Sequence, residues 1–398
     1  MHILIALTYY RPHYSGLTIY VERLARALVR RGHRVTILTS RFSRELPPQE
    51  VVDGVEVVRL DVWLRISKGV IMPSMPWHAW RLIQQADIVN VHLPQLDAAP
   101  IAVLARAAGR PVVMTYHCDL RLPQGAVHQL ANLASSLANR ITASAANVIV
   151  TNTIDYAENS PFLSHYLDKI QVIPPAVSLP EIEPAKIKHF RQQHDIQPEE
   201  KVIGMLARLA TEKGVEHLVQ AMPAILERFP QARVLYVGQH RDVLGEEAYA
   251  ARLKPQIERM GKHWKFLGVL PDEQVVAFFH SCDVTVLPSL NSTESFGMVQ
   301  VESMSCGTPV VASNIPGVRQ PVLQTGNGQI VPPGEPQALA KAIIAVLEQP
   351  QEYRPHAEDI RRTFAPDVQA ASYEAVLREL LIENSPQAGE VKKSDSSN

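Results

Sequence analysis

VIPPAVSLPEIEPAKIKHF, residues 172–190, sets four prolines within residues 174–184. Proline fixes φ and has no N–H to donate, so the cluster continues neither a helix nor a central strand and reads as a linker between domains. On its N-terminal side, short apolar runs rich in β-branched residues fall at 3–7, 35–40, 55–60, 87–92, 111–117 and 148–152. Helical patterns separate them, as at 17–31, where Gly32 stands as a C-terminal stop. On the C-terminal side a second series falls at 201–207, 232–238, 264–269, 284–288, 309–313 and 329–331. Buried strands alternating with helices predict an α/β chain of two doubly wound, Rossmann-like domains. The expected domains are 1–178 and 185–355, followed by an amphipathic helix at 367–382. Residues 384–398 carry no core-forming side chains and are expected to be disordered. Two such sheets facing each other leave a cleft at the carboxyl ends of their strands, so ligand-binding residues are expected just after strands.

With 398 residues, 46% of them hydrophobic and 20% charged, the chain can build two cores. A formal net charge of -1 excludes strong nucleic-acid steering, and no nucleic-acid partner is expected. Residues 1–178 hold 17 Lys+Arg against 12 Asp+Glu, and the remainder 22 against 28. A basic first half suits an anionic acceptor or a membrane surface, although ordinary scatter produces the same imbalance. Cys118, Cys282 and Cys306 show no CxxC or Cys/His ligand spacing, so neither a disulfide framework nor a zinc site is indicated. The opening MHILIAL lacks the basic region and the length of a signal peptide, and no run approaches the roughly 18–20 apolar residues of a spanning helix. The expected location is cytoplasmic, at most peripheral to a membrane.

ESFGMVQVE, residues 294–302, follows a strand and a short polar loop. It reads as loop and then helix, from about Phe296 to Ser305, ended by Gly307. Glu294 precedes the first turn, and Met298 and Glu302, four apart, share a face. Free N–H groups around Phe296–Met298 suit a diphosphate, and each carboxylate can accept two hydrogen bonds from a vicinal diol. A single glutamate here would merely complement the helix dipole or sit solvated. The pair, with CGTPVVAS behind it at 306–313, reads as functional.

GMLARLATEKGVEHLVQAM, residues 204–222, puts Arg208 at a strand end and Lys213 before Gly214 and a helix. Two cations there are what a leaving diphosphate needs as negative charge builds on it. Taken alone they read equally as exposed basic residues. YYRPHYSGLTIYVERLA, residues 9–25, puts Gly16 at a helix start, where a missing side chain permits close ligand approach or simply makes a turn. No GxGxxG occurs there, which weighs against a dinucleotide-binding dehydrogenase. PVVMTYHCDL, residues 111–120, puts His117 and Asp119 at a strand end. His117 reads either as a site residue or as a core histidine with its hydrogen bond satisfied.

Over nearly its whole length the sequence resembles glycosyltransferase family 4, the glycosyl transferases group 1, whose signature is a Glu, seven residues and a second Glu, with Phe-Gly soon after the first. The resemblance implies the GT-B fold: an acceptor-binding first domain to which the last helix, about 366–383, returns, and a second domain that binds a nucleotide sugar. It implies that Glu294 contacts the donor sugar's hydroxyls and that Glu302 grips the ribose. Backbone amides of Phe296, Gly297 and Met298 would hold sugar and phosphate. Arg208 and Lys213 are implied as the diphosphate clamp, since Arg-Leu followed by Lys-Gly matches the family residue for residue. His117 would reach the donor sugar, Asp119 would lie near the acceptor, and the backbone near Val269 and Leu270 would meet the base. Where the family has two glycines this chain has Ser15 and Gly16, so only Gly16 is carried over, near phosphate and acceptor. In SNIPGVRQPV, residues 313–322, the familiar second glycine and Glu are replaced, and that element is read as shaping a loop.

Membership further implies a hexosyl transfer with retention of anomeric configuration. No second carboxylate must lie beneath the anomeric carbon, so the expected route is front-face substitution. Arg208, Lys213 and the helix amides would stabilise the departing diphosphate, whose oxygen takes the acceptor's proton, while Glu294 and His117 position the sugar. No DxD pair appears, so neither a metal nor a cofactor is expected. The expected donor is a UDP- or GDP-sugar, and the acceptor a hydroxyl of a glycan, lipid or small molecule. The rivals are a nucleotide-sugar epimerase, a phosphorylase-like enzyme, for which no cofactor lysine stands out, and a catalytically silent sugar-nucleotide-binding subunit. WLRISKGVIMPSMPWHAWRLI, residues 63–83, carries three tryptophans and several basic residues. Either it lies against a membrane interface near a lipid-linked acceptor, or its aromatics pack beneath the loop.

Overall fold

HILIA is buried along its whole length as β1 (His2–Ala6), as a strand covered on both faces must be. After it come α1 (Gly16–Arg30), β2 (Arg34–Arg41), β3 (Gln49–Val52), β4 (Val55–Asp61), β5 (Leu64–Ile66), β6 (Gly69–Ile71) and α2 (Met75–Gln85). Then follow β7 (Ile88–Leu93), α3 (Ala98–Ala107), β8 (Val112–Tyr116), α4 (Ala126–Ala145), β9 (Val148–Thr151), α5 (Ile154–Asn159) and β10 (Ile170–Val172). Beyond the proline stretch the order is α6 (Pro184–Gln193), β11 (Lys201–Leu206), α7 (Val215–Arg228), β12 (Ala232–Val237), α8 (Glu247–Glu258), β13 (Trp264–Gly268) and α9 (Asp272–Ser281). The chain continues through β14 (Val284–Leu287), α10 (Met298–Ser305), β15 (Val310–Ser313), α11 (Gln320–Thr325), β16 (Gly328–Val331), α12 (Pro336–Glu348), α13 (Ala357–Thr363) and α14 (Pro366–Glu383). The computed structural model describes residues 1–66, 69–119, 126–354 and 356–384; from residue 385 on, the tail expected to be disordered lies outside them.

The chain divides into two units, Met1–Ala176 with the segment from Ala365 onward, and Val177–Phe364. The first division falls inside the proline stretch. The first unit holds an eight-stranded sheet in the order β10-β9-β8-β7-β1-β2-β4-β3, parallel except where β3 runs against β4. Of the β3–β4 hairpin, β4 is among the strands expected from the sequence and β3 is not. Its turn is Asp53-Gly54, both left-handed at φ 52° and 79°, and Asp-Gly between apolar runs is a hairpin signal. The second unit's sheet has the order β13-β12-β11-β14-β15-β16, with every pair parallel. Its order reverses direction between β11 and β14, and open sheets of this kind bind ligands outside the strand ends at such a switch. In the first unit the corresponding point is at β1, whose neighbours are β7 and β2.

Each sheet is covered on both faces by helices whose apolar sides supply the core. On one face of the first sheet, Leu24 and Leu28 of α1 pack with Tyr373 and Leu377 of α14. On the other face, Ala79 and Ile83 of α2 pack with Ile101 and Ala105 of α3. Each fully buried side chain of leucine or isoleucine size contributes about 1.5–3 kcal/mol. A buried polar chain ties α14 to the sheet. Tyr20 Oη lies 2.8 Å from Tyr373 Oη, Thr115 Oγ1 lies 3.0 Å from Tyr373 Oη, and Thr115 Oγ1 donates to Asn90 Oδ1 at 2.9 Å. Arg31, just after α1, donates to Glu374 of α14 at 2.6 Å. Removing one hydroxyl from the chain strands its buried neighbours. Tyr373→Phe is therefore expected to lower unfolding stability by about 1–3 kcal/mol without changing the fold, measured as a shift of the urea midpoint with near-native circular dichroism.

Candidate active site

In the second unit, the ladder continues past β11 through Ala207 N–H to Val237 O at 3.0 Å and Leu209 N–H to Gln239 O at 2.8 Å. Strand alternation between these inward contacts turns Arg208 outward, where its side chain is 43% exposed and donates to Glu212 Oε1 at 3.1 Å. A single 3-10 turn, Thr211–Lys213, then ends at Gly214 in the left-handed region, φ 64°. A Cβ on Gly214 would intrude on the carbonyl oxygen of Pro288, just after β14. That close approach, with Leu290 N–H donating to Glu212 O at 2.9 Å, fastens the loop after β11 to the loop after β14. Lys213 Nζ thereby comes to 2.6 Å from Glu294 Oε2, each side chain 20% exposed.

The loop after β14 is stiffened by Asn291, whose Oδ1 accepts from Thr293 N–H at 3.1 Å and from Thr293 Oγ1 at 2.6 Å. The following helix starts at Met298, two residues later than the sequence suggested, because Gly297 is left-handed at φ 76°. Phe296 is drawn into the core, 3% exposed and edge-on to Phe364 at 6.0 Å. Gln300 folds back to donate to Phe296 O at 2.5 Å and Val318 O at 2.8 Å. The Phe296 ring therefore belongs to the core, and only its backbone is left at the loop. Glu302, four residues beyond Met298, is buried at 8% exposure, so it is no solvated helix residue. Val269 stands 71% exposed beyond β13, while Leu270 packs partly buried against the core cluster around Phe278.

Three features of this half were not read from the sequence. Glu212 holds Arg208, and only its spacing of four from Arg208 could have signalled the pair. His240 stacks on Phe266, ring centroids 4.3 Å apart at 11°, near the ends of β12 and β13. Ser289 is fully buried, and its Oγ has no hydrogen-bond partner among the described residues. Neither of the last two has a spacing signal, because each depends on strands distant in sequence.

In the first unit, Gly16 is the exposed first residue of α1, and Ser15 caps that helix by accepting from Thr18 N–H at 3.2 Å. His117 extends the β7–β8 ladder by donating its N–H to Leu93 O at 3.1 Å. Its Nε2 lies 2.9 Å from His92 Nδ1, with the rings stacked at 5.2 Å and the Tyr20 ring edge-on at 4.7 Å. His92 is a partner that the sequence reading missed. Burial holds both imidazoles neutral: it lowers His117 from 6.5 to about 3, and burial with the neighbouring His117 holds His92 well below its ordinary value. One proton serves the His92–His117 contact, so one ring donates and the other accepts.

Asp119, 7% exposed, is set apart from this histidine pair by its own partners. Its Oδ1 accepts from Tyr116 Oη at 3.0 Å and Ser160 Oγ at 2.8 Å, and its N–H donates to Tyr156 Oη at 2.6 Å. Burial first, and then the Asp119 charge, push both phenols upward. Asp119 Oδ2 is buried and has no hydrogen-bond partner among the described residues. The carboxylate thus anchors the segment after β8 to the start of α5 and the turn behind it. Within the second unit the structure brings Lys213 to Glu294 at the switch point, with Arg208 on the same loop as Lys213 and held by Glu212. Within the first it brings His117 to His92.

Two outcomes follow from this geometry. Gly214→Ala is expected to cost about 1–3 kcal/mol of stability, read by urea unfolding, because it strains the left-handed position and meets the Pro288 carbonyl. The second concerns pH. Between about 3 and 6.5 the unfolded chain binds a proton at His117 that the native chain does not. The stabilisation is complete above pH 6.5 and is lost as the pH falls through that window. Urea midpoints measured from pH 7.5 to 5.5 should fall for the wild type and fall less for His117→Gln; parallel slopes would contradict it.

Comparison with known proteins agrees with this architecture. The model for glycosyl transferases group 1 matches residues 186–363, and that for the glycosyl transferase 4-like domain matches residues 15–176. A phosphatidyl-myo-inositol mannosyltransferase of Mycolicibacterium smegmatis is 28% identical over 346 residues, 85% of this chain and 82% of the relative. A D-inositol 3-phosphate glycosyltransferase of Segniliparus rotundus is 25% identical over 399 residues, 92% of this chain and 85% of the relative. Among solved structures, Anabaena HepE in complex with UDP-glucose superposes with a TM-score of 0.72 at 23% identity, covering 95% of this chain and 100% of that one. With one domain model on each unit and the GT-B architecture throughout, the chain belongs to the glycosyl transferases group 1, glycosyltransferase family 4, and is a glycosyltransferase.

Proposed function

We propose that the chain moves a hexosyl group from a nucleotide-diphosphate sugar to a hydroxyl acceptor with retention of configuration and without a metal. The observation that carries this reading is the meeting of Lys213 and Glu294, with Arg208 on the same loop as Lys213, where the second sheet's strand order reverses. In this proposal Arg208 and Lys213 take the diphosphate, and Glu294, released from Lys213, accepts hydrogen bonds from the sugar hydroxyls. Glu302 grips the ribose, backbone amides of Phe296, Gly297 and Met298 hold sugar and phosphate, and the backbone at Val269 and Leu270 meets the base. Gly16, His117 and Asp119 serve the first unit's share of the site, with neutral His117 positioning the sugar by a hydrogen bond. The domains read from the sequence divide the labour accordingly: the first takes the acceptor and the second the donor. UDP and GDP are the favoured donor bases; the UDP-glucose bound by HepE supports the first.

The reaction forms the bond from the anomeric carbon to the acceptor oxygen on the face from which the diphosphate leaves. The anomeric carbon–oxygen bond to phosphate breaks, and the departing phosphate oxygen takes the acceptor's proton. Guanidinium and ammonium groups stabilise the charge that develops, and they act most strongly where water is sparse. Cations already supplied by the chain make a metal unnecessary. The inositol-linked acceptors named for the two relatives support a lipid or phosphorylated polyol among the acceptor classes. Membrane-associated action would follow from a lipid-linked acceptor.

The test is a panel of UDP-, GDP- and ADP-sugars screened by thermal shift, followed by turnover with the donor that stabilises the protein. Arg208→Ala and Lys213→Ala are each expected to lower kcat/KM by about 10²–10³-fold, the size of losing one preorganised charge stabiliser. Product NMR should show the donor's anomeric configuration, and EDTA should leave the rate unchanged. Unaltered turnover in both charge-removing variants would refute the proposal, as would an inverted product or magnesium-dependent activity. Altered nucleotide sugar formed without acceptor would instead identify an epimerase.

A further inference from the structure

We propose that the outer face of α2, α3 and α4, with the β5–β6 hairpin, docks in the plane of an anionic lipid bilayer. This inference stands on the first unit's surface and requires no particular donor. Three of the chain's four tryptophans lie on this face and are exposed, Trp63 at 75%, Trp77 at 65% and Trp80 at 38%, whereas Trp264 is buried. Their exposure is not a failure of the segment to pack. Helix α2 sends Met75, Ala79 and Ile83 into the core and leaves Trp77, Trp80 and Arg81 on its opposite side. In the hairpin, Val70 and Met72 are buried while the cross-strand pair Leu64 and Ile71 is exposed. Helix α4 repeats the pattern: Leu133, Leu137 and Ile141, spaced by four, are 67%, 59% and 39% exposed, and Val103 of α3 is 48% exposed. Helix α2 packs beside α3 and α3 beside α4, and all three cover the same core cluster with the hairpin. The exposed side chains therefore belong to one continuous layer. Contiguous apolar surface of this kind marks an interaction site.

Charge selects the occupant. Residues 62–154 hold seven Lys+Arg against three Asp+Glu, and no glutamate occurs between Glu56 and Glu158. None of the three acids is exposed. Asp119 is buried, Asp87 accepts from His2 N–H at 2.7 Å, and Asp97 is partly covered at the start of α3. Arg65, Arg81, Arg106 and Arg140 are exposed, and no carboxylate pairs with any of them among the described residues. A second copy docking through a shared two-fold would press these arginines against one another with no acid to neutralise them. An anionic bilayer supplies what both sets need: headgroup charge for the arginines, and the interfacial layer in which tryptophan rings settle. Among the described residues no helix is long and apolar enough to cross a membrane, so the contact lies on the surface.

The experiment uses the full chain with sedimenting vesicles of phosphatidylglycerol and phosphatidylcholine, against vesicles of phosphatidylcholine alone. Binding is expected on the anionic vesicles, with a blue-shifted tryptophan emission quenched by brominated lipid, and a loss of at least about 10-fold on raising the salt from 0.05 to 0.5 M. Trp77→Ser/Trp80→Ser and, separately, Leu133→Ser/Leu137→Ser should each weaken binding about 10-fold or more while circular dichroism and melting stay unchanged. The two pairs sit on different helices, so the loss of one variant to misfolding leaves the other decisive. No binding to anionic vesicles overturns the proposal, and so does binding by both variants as tight as that of the wild type. Light scattering that shows a dimer abolished by the tryptophan variant, without vesicle binding, assigns the face to a second copy and also overturns it. Donor-dependent turnover in lipid-free buffer, measured alongside, separates failure of this surface from failure of the transfer reaction.

Discussion

The contact between Lys213 Nζ and Glu294 Oε2, at 2.6 Å, is the constraint on which the chemistry proposed for the second unit rests. It joins residues 81 apart in sequence, and it exists because β11 and β14 are neighbours in a parallel sheet whose connections leave in opposite directions. Both loops therefore rise from the same end of adjacent strands with nothing between them. Gly214 sharpens the approach, since any side chain there would hold the two loops apart. The ammonium of Lys213 and the carboxylate of Glu294 neutralise each other there, and in the proposed reaction they part to take phosphate and sugar hydroxyls. A partly exposed pair of this kind is worth little to stability, so the contact readily yields to a ligand that carries both kinds of group.

The first unit reaches a different electrostatic solution. Its histidines are paired with each other and not with a carboxylate, so burial decides their state and both remain neutral. A neutral imidazole is a hydrogen-bonding group and a poor acid, which favours positioning over proton transfer. The carboxylate two residues away is occupied by Tyr116, Ser160 and the backbone contact to Tyr156. Helix α14 reinforces the same region from beneath through Tyr373, which touches both Tyr20 and Thr115. Rigidity at the ends of β7 and β8 thus depends on residues near the opposite end of the chain.

Much of this was legible in the sequence because the strands are buried on both faces. Such strands announce themselves as unbroken apolar runs, and all twelve expected runs form strands whose ends agree to within one residue. The departures have local physical causes. The β3–β4 hairpin has half-exposed β3 residues whose pattern is weak, though its Asp-Gly turn was present to be read. Helix α10 begins late because Phe296 gains more from the core than from a first helical turn, and Gly297 alone could make the required bend. The tryptophans of residues 63–80 were ambiguous in sequence, since an aromatic beside a basic residue is equally a buried anchor or an exposed one.

What the sequence by itself determined was the alternation of strand and helix, the break at the prolines, and the residue types waiting at the strand ends. These follow from periodicity and backbone chemistry, which act over a few residues. Only the tertiary structure decided which of those strand ends meet: that Lys213 faces Glu294, that Arg208 is held by Glu212, that His117 rests on His92, and that three tryptophans remain in solvent. The physical reason is that strand order and helix packing are set by the burial of whole faces. No local pattern records which neighbour a strand will choose.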